Sequence, residues 1–291
     1  MNEREKKALI AIPIIILIGA GLAFAGSQGG LTVGRFPLYA LCIAIAFIIN
    51  WIVFIHAYSN RTEKYFDLTG GITYLTVTVL AVVLSGSTDP RSLILAVIIS
   101  VWALRLSTFL FRRIQADGHD GRFDELKHSF ARFLFTWTVQ GLWVSFSLAA
   151  GLAAITSANK ADIGLIGAIG ILVWIIGFGI EVTADNQKKQ FRADPNNKGK
   201  FITGGLWSWS RHPNYFGEIV LWVGVALIAL PVLRGWQYVT LISPIFVYLL
   251  LTRLSGVPLL EARSDEKWGG QEDYEAYKAK TPELMLWPPS K

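Results

Sequence analysis

The sequence predicts an all-α, polytopic integral membrane protein with about eight transmembrane helices and both termini in the cytoplasm. The prediction rests on the composition, on long charge-free runs and on the uneven placement of basic residues. Of the 291 residues, 53% are hydrophobic and 16% are charged, and the mean hydropathy is +0.44. Soluble domains are about 45–50% apolar and about 25% charged. The surplus of apolar residues therefore indicates that lipid is the solvent.

Eight runs with few or no charged residues predict the spans. A bilayer core about 30 Å thick needs about 20 apolar helical residues, and only helices or closed barrels satisfy their backbone in lipid. The runs are continuous rather than alternating, so we expect helices. In chain order they are residues 8–34, 36–60, 68–88, 92–111, 133–159, 163–180, 219–233 and 235–252.

The basic residues predict the orientation. Eight spans divide the termini and connections into two sets. Of the 27 Lys and Arg residues, the set without the termini holds only four, which are Arg35, Arg91, Lys160 and Arg234. Because cytoplasmic segments carry the excess of Lys and Arg, both termini are expected in the cytoplasm. If the source is bacterial, the membrane is the inner membrane.

The composition also excludes several kinds of site. Cys42 is the only cysteine, which excludes a disulfide scaffold and a Cys-rich metal site. The four histidines show no metal-ligand spacing, so we expect no metal. Most of the net charge of +6 follows from topology, so we expect no nucleic-acid partner.

Two carboxyl groups precede the third span. Glu63 and Asp67 are four residues apart and share a helix face if the helix has already begun. A carboxyl desolvated at the membrane edge stays protonated and can donate a hydrogen bond or a proton. The structural alternative is that such acids serve only the helix amino terminus.

Arg105 interrupts the fourth span. A central Arg costs about 2.5–3.5 kcal/mol on insertion scales, unless it snorkels towards the cytoplasm. The functional alternative is a buried cation for a phosphate or a substrate oxygen. Trp102 lies one turn earlier on roughly the same face.

Acidic residues also end the sixth span. Glu181 and Asp185 are four residues apart, and Arg192 shares their face if the helix continues. Acids at a helix carboxyl end oppose the dipole, which weakens a purely structural explanation. A ribose or a nicotinamide amide would satisfy these acids, and Arg192 suits a phosphate.

The densest polar motif leads into the seventh span. Residues 211–215 read Arg-His-Pro-Asn-Tyr, and Glu218 follows. Pro213 suits a first helical turn, where free amide groups form an anion site. Asn214 and Glu218 then lie one turn apart on one face.

These residues resemble the steroid 5α-reductase C-terminal-domain family, in particular its broad microbial and plant branch. The resemblance covers most of the chain and is weaker before residue 60. It rests on Glu181, Asp185 and Arg192, on residues 204–206 and 214–218, and upstream on residues 62–70, 102–105 and 112–113.

The resemblance implies a membrane-embedded, NADPH-dependent reductase. Its substrate would be a carbon–carbon double bond conjugated to a carbonyl in a steroid, isoprenoid or lipid-like molecule that enters from the bilayer. Glu63, or failing that Asp67, would polarise the carbonyl, and Trp102 lies near the position of a second polarising residue, a Tyr in steroid reductases. The residues implied in cofactor binding are Arg105, Arg113, Glu181, Asp185, Arg192, Arg211, His212, Asn214, Tyr215 and Glu218.

Two other functions stay open. Membrane methyltransferases of the isoprenylcysteine and phospholipid type, which use S-adenosylmethionine, share the motif at residues 211–215. They usually carry paired glutamates after the last span, whereas Ala262 follows Glu261 here, and the basic run at 188–200 suits a phosphate-rich cofactor better. A non-enzymatic lipid-binding membrane protein is the third possibility.

The expected organisation is a single membrane domain over residues 1–291. Residues 1–60 form two less family-like helices. Residues 61–256 form the catalytic helical core, with cofactor loops at 112–132 and 181–218. Residues 257–291 form a cytoplasmic tail.

Overall fold

The computed structural model describes residues 2–288, apart from the side chain of Asp117, and it is almost entirely helical. Within these residues, eight helical segments are long and apolar enough to cross a membrane. The predicted fold class is thereby confirmed, while the side on which the termini lie stays a prediction. The helices are α1 (Glu3–Ser27), α2 (Leu38–Ser59), α3 (Phe66–Ser85), α4 (Pro90–Asp117), α5 (Phe130–Thr156), α6 (Gly164–Ala193), α7 (Pro213–Ala229), α8 (Ile242–Leu249), α9 (Gly256–Trp268) and α10 (Glu272–Lys280).

Three elements depart from the predicted spans. α6 continues to Ala193 instead of ending near residue 180, because the polar residues beyond the span are compatible with helix and no proline follows until Pro195. The eighth span is composite, since a 3₁₀ segment precedes α8 and a π-helical turn, Leu250–Leu254, separates α8 from α9. A short antiparallel hairpin of two-residue strands, β1 (Thr32–Val33) and β2 (Phe36–Pro37), connects α1 to α2.

The described residues divide into two compact units. The first runs up to Gly167 and includes Ile228–Ser243, and the second comprises Ala168–Leu227 and the residues from Pro244 onward. In the first unit, α5 is the central helix and contacts α1, α2, α3 and α4. Its last three turns are rich in buried Ala and Gly residues, and small residues allow neighbouring helices to approach closely.

A buried arginine joins three segments of the first unit. Arg91, in the first turn of α4, is 1% exposed. Its guanidinium donates to the carbonyl oxygens of Ala161, Asp162, Ile163 and Ile228. A buried charge is tolerated only when it is well bonded, and here four acceptors fix the start of α4 to the α5–α6 connection and to the end of α7.

The second unit is built on a backbone-to-backbone contact between α6 and α7. Three glycines leave room for a hydrogen atom but not for a methyl group. A Cβ built on each would approach a backbone nitrogen of the facing helix to 2.5 Å at Gly177, 2.6 Å at Gly217 and 2.6 Å at Gly224. Contact at this distance brings the polar ends of the two helices together, with Gly217 against the backbone of Glu181.

We expect Gly177→Ala to destabilise the protein by about 1–3 kcal/mol, the usual cost of overpacking a filled interface. Gly179→Ala is the matched control on the same helix, because nothing lies within 4 Å of its built Cβ and alanine favours helix. Thermal unfolding of the two detergent-purified variants measures the difference. Equal Tm values would contradict the tight α6–α7 contact.

Candidate functional site

A hydrogen-bonded pair, one member of which is buried, lies where α6 and α7 approach each other in the second unit. The side-chain amide of Asn214 donates to the carboxylate of Asp185 over 3.1 Å, and Asp185 is 6% exposed. Two further carboxyl groups, Glu181 and Glu218, are buried nearby in sequence on the same helices. The structure thus brings together the acids and the amide that the sequence assigned to cofactor binding.

Basic side chains follow this group along α6. Lys188 lies with its ammonium 4.3 Å from the centre of the Trp207 ring, a distance typical of a cation–π contact. Arg192 lies one turn further and is exposed. Because α6 continues to Ala193, Asp185, Lys188 and Arg192 occupy roughly one face, as three- and four-residue spacings require.

The segment before α7 is fastened to α6. The indole of Trp207 donates to the carbonyl oxygen of Ala184 over 3.0 Å, and the backbone N–H of Leu206 donates to the side-chain oxygen of Gln187 over 2.9 Å. Gly205 has a φ of +64°, a conformation that glycine adopts without strain. These contacts place residues 205–207 beside the part of α6 that carries Asp185.

Arg211 and His212 are directed at a carboxylate that the sequence analysis did not assign to the site. The His212 ring lies 2.8 Å from one oxygen of Glu261, and Arg211 lies 3.0 Å from the other. Tyr215 stacks on the His212 ring with a centroid separation of 5.8 Å. Glu261 is about 50 positions away in the sequence, so no local spacing signals this contact, and the expected cofactor roles of these residues stay predictions.

The carboxyl-terminal segment supports the loop before α7. The hydroxyl of Tyr277 donates to the carbonyl oxygen of Trp207 over 2.7 Å, the N–H of Arg211 donates to Pro282 O over 2.9 Å, and the Ser210 hydroxyl donates to Leu284 O over 2.9 Å. Burial raises the pKa of Tyr277, which keeps its phenol protonated and able to donate. The tail is therefore a structural part of this unit.

In the first unit, Glu63 differs from its predicted arrangement. α3 begins at Phe66, so Glu63 precedes the helix and does not share a helix face with Asp67. Its carboxylate accepts from the backbone N–H of Asp120 over 3.1 Å and from the Lys127 ammonium over 3.3 Å. Both hydrogen bonds to Glu63 therefore come from the 112–132 loop.

Asp67 has a different environment. It lies in the first turn of α3, is half-buried, and is within electrostatic reach of Arg113, Arg122 and Asp120. Burial alone would raise the pKa of Asp120, but bonds from Arg122 hold that pKa below its ordinary value. The structure therefore surrounds Asp67 with the charged residues of the 112–132 loop.

Trp102 is buried on α4 and packs against a phenol that the sequence analysis missed. Tyr74 of α3 meets it edge to face, with ring centroids 5.0 Å apart and planes at 87°. A Tyr inside an apolar helix carries no local signal, and only the α3–α4 packing reveals it. Arg105 is partly buried, and its guanidinium lies 5.5 Å from the Phe109 ring centre.

No group of three or more His, Cys, Asp or Glu side chains that could hold a metal ion occurs among the described residues.

Known proteins are similar to this chain over much of its length. The family profile described as "Protein of unknown function (DUF1295)" matches residues 53–281, in accordance with the weaker resemblance expected before residue 60. The chain is 26% identical over 212 residues to the Delta(14)-sterol reductase erg24 of Schizosaccharomyces pombe, covering 68% of this chain and 44% of that protein. It is 28% identical over 111 residues to the 3-oxo-5-alpha-steroid 4-dehydrogenase 1 of Bos taurus, covering 38% of each protein.

A shorter match is to a different class of enzyme. The probable O-methyltransferase ustE of Ustilaginoidea virens is 40% identical over 60 residues, which is 21% of each chain. The chain spans less than half the length of these three relatives. No solved structure matches it. With the family profile matching most of the chain, this multi-pass membrane protein belongs to the DUF1295 family, which is steroid 5α-reductase-like.

Proposed function

We propose that the protein is an NADPH-dependent reductase of a carbon–carbon double bond conjugated to a carbonyl in an apolar substrate. The observation that carries the proposal is the Asp185–Asn214 hydrogen bond, in which Asp185 is buried, with cationic side chains further along the same helix. The similarity to proteins named as sterol reductases and steroid dehydrogenases supports the same class.

The residues of the second unit fit a dinucleotide phosphate chemically. Carboxylate and amide groups such as Asp185 and Asn214 accept from and donate to hydroxyl and carboxamide groups. Lys188 and Arg192 offer charged donors of the kind that bind phosphates. When bound, NADPH supplies the hydride that the β-carbon of the enone receives. The remaining proposed contacts in the second unit are from Glu181, Arg211, His212, Tyr215 and Glu218. Arg105 and Arg113, which the resemblance also assigns to the cofactor, belong to the first unit, and their role stays a prediction.

A carboxyl group at the start of α3 is proposed to polarise the substrate carbonyl and to supply the proton. The enolate-like transition state requires a donor at the carbonyl oxygen, and proton transfer requires an acid. Glu63 already accepts two hydrogen bonds. We therefore assign the donor role to Asp67 in preference to Glu63, with Tyr74 beside Trp102 as the nearest phenol on the same helix.

The proposed substrate is apolar and enters from the lipid. Eight helical segments among residues 2–288 suit a bilayer, and the relatives' names refer to sterols and steroids. The concentration of basic residues at the termini and alternate connections supports a cofactor site that faces the cytoplasm.

A methyltransferase is the second candidate, because one observation favours it. Glu261 engages both Arg211 and His212 of the motif that the two enzyme classes share. The 60-residue match to a probable O-methyltransferase supports the same alternative. Under this alternative, the protein binds S-adenosylmethionine rather than NADPH.

We expect Asn214→Ala to weaken NADPH binding about five- to hundredfold. The change removes an amide donor and leaves the buried Asp185 carboxylate short of a partner, at a cost of about 1–3 kcal/mol, and 1.4 kcal/mol is tenfold in affinity. Asn186→Ala is the matched control, since Asn186 is exposed on α6 next to Asp185. Calorimetric titration of the detergent-purified variants with NADPH and with S-adenosylmethionine measures the effect. Binding of only S-adenosylmethionine to the wild type would overturn the reductase assignment.

We expect Asp67→Asn to lower kcat for enone reduction at least a hundredfold, the usual contribution of a general acid, with NADPH affinity unchanged. Glu63→Gln is the paired variant. It retains a side chain that can accept from Asp120 but loses the Lys127 ion pair, so the Tm falls while reduction persists. Steady-state assays with a panel of steroid and isoprenoid enones provide the rates. Loss of reduction in Glu63→Gln alone, at full NADPH binding, would return the acid role to Glu63.

A further inference from the structure

A cleft in the first unit lies where α3 begins and α4 ends. Its volume is about 320 Å³, at the lower end of the range of about 300–1,000 Å³ for small-molecule sites. None of its lining residues belongs to the group around Asp185 and Asn214. It is lined by Lys64, Tyr65, Phe111, Ile114, Gln115 and Gly118.

The cleft is lined by both apolar and polar residues. Phe111 and Ile114 are half-buried, and Tyr65 lies nearly parallel to Phe111 with ring centroids 6.4 Å apart. Lys64 and Gln115 are exposed and carry an ammonium and an amide. This arrangement suits a molecule with an apolar body and an anionic or hydrogen-bonding head.

The cleft lies at the edge of the hydrocarbon layer. The apolar spans that border it are Phe66–Ser85 and Pro90–Ala116, so the lining residues from 64 to 65 and from 114 to 118 mark the transition from lipid tails to head groups. Tyr65 is 41% exposed, and exposed tyrosines are enriched at this level of a membrane.

The charge around the cleft favours an anion. Lys64 and Arg112 are exposed on the two bordering segments, whereas the exposed Arg113 interacts electrostatically with Asp67 and Asp120. The neighbouring Glu63 is buried and neutralised by Lys127 at 3.3 Å. Basic groups at a membrane surface attract anionic lipids by about 1 kcal/mol each.

We propose that this cleft binds an anionic phospholipid, with the phosphate at Lys64 and the upper acyl chain against Phe111 and Ile114. The lining residues are not among those proposed to bind the cofactor or to donate the proton, although Asp67 and Arg113 are close to them in the sequence, and lipid binding does not depend on reductase activity. A phospholipid head group and a free phosphate ion present the same phosphate chemistry, so the experiment must distinguish the two.

The test is a lipid titration of the detergent-purified full-length protein followed by native mass spectrometry. The probes are phosphatidylglycerol, phosphatidylcholine, glycerol 1-phosphate and inorganic phosphate. We expect phosphatidylglycerol to bind more tightly than phosphatidylcholine, and the two water-soluble phosphates to give no stoichiometric adduct, because the apolar lining residues contribute to binding. Equal affinity for both lipids, or stoichiometric binding of either soluble phosphate, overturns the proposal.

Variants locate the adduct. Lys64→Gln is expected to weaken phosphatidylglycerol binding about fivefold, the loss of one cationic contact at the surface, and Lys64→Arg to retain it. Ile114→Glu places a negative charge in the cleft and is expected to abolish the adduct. Lys189→Gln, at an exposed lysine of α6 in the second unit, is the matched control and keeps wild-type affinity. Equal affinities in Lys64→Gln and Lys189→Gln overturn the assignment.

Discussion

The close approach of α6 to α7 is the constraint on which the second unit depends. At Gly177, Gly217 and Gly224 the two helices meet backbone to backbone, and any larger residue would separate them. Without a hydrophobic driving force between helices in lipid, association relies on such packing and on interhelical hydrogen bonds. The contact places Asn214 within hydrogen-bonding distance of Asp185, whose carboxylate is buried. Small residues within the spans thus determine the geometry of the polar residues at their ends.

The polar residues around this contact are supported from outside the two helices. Trp207 bonds to the backbone of α6 and in turn accepts from Tyr277. The carboxylate of Glu261 contacts both Arg211 and His212. Such neighbours fix the rotamers of the binding-site side chains before a ligand arrives. These side chains therefore lose less conformational entropy when the ligand binds. From composition the tail is predicted only to be a charged cytoplasmic segment. In the structure its residues hydrogen-bond to the loop before α7.

Hydropathy and charge predict the fold well, because each span must satisfy its backbone alone and must be about as long as the bilayer is thick. The Asp185–Asn214 contact joins two residues that the sequence grouped together, but the expected position of Asp185 at a helix carboxyl end is wrong, because α6 continues to Ala193. The role of Glu63 could not be found from sequence, because its partners Asp120 and Lys127 are about 60 positions away. Glu261 and Tyr74 were missed for the same reason, as their significance lies in tertiary contacts. Hydropathy places the end of the sixth span near residue 180 and does not reveal that α6 continues to Ala193.

The measurement that bears most directly on this site is the identity of the nucleotide retained by the purified protein. Wild type, Gly217→Ala and Gly179→Ala are incubated with equal concentrations of NADPH and S-adenosylmethionine, freed of unbound ligand, denatured and analysed by mass spectrometry. If the α6–α7 contact assembles a dinucleotide site, wild type and Gly179→Ala release NADPH and Gly217→Ala releases little. Release of S-adenosylmethionine from the wild type, or equal NADPH from all three proteins, would contradict it.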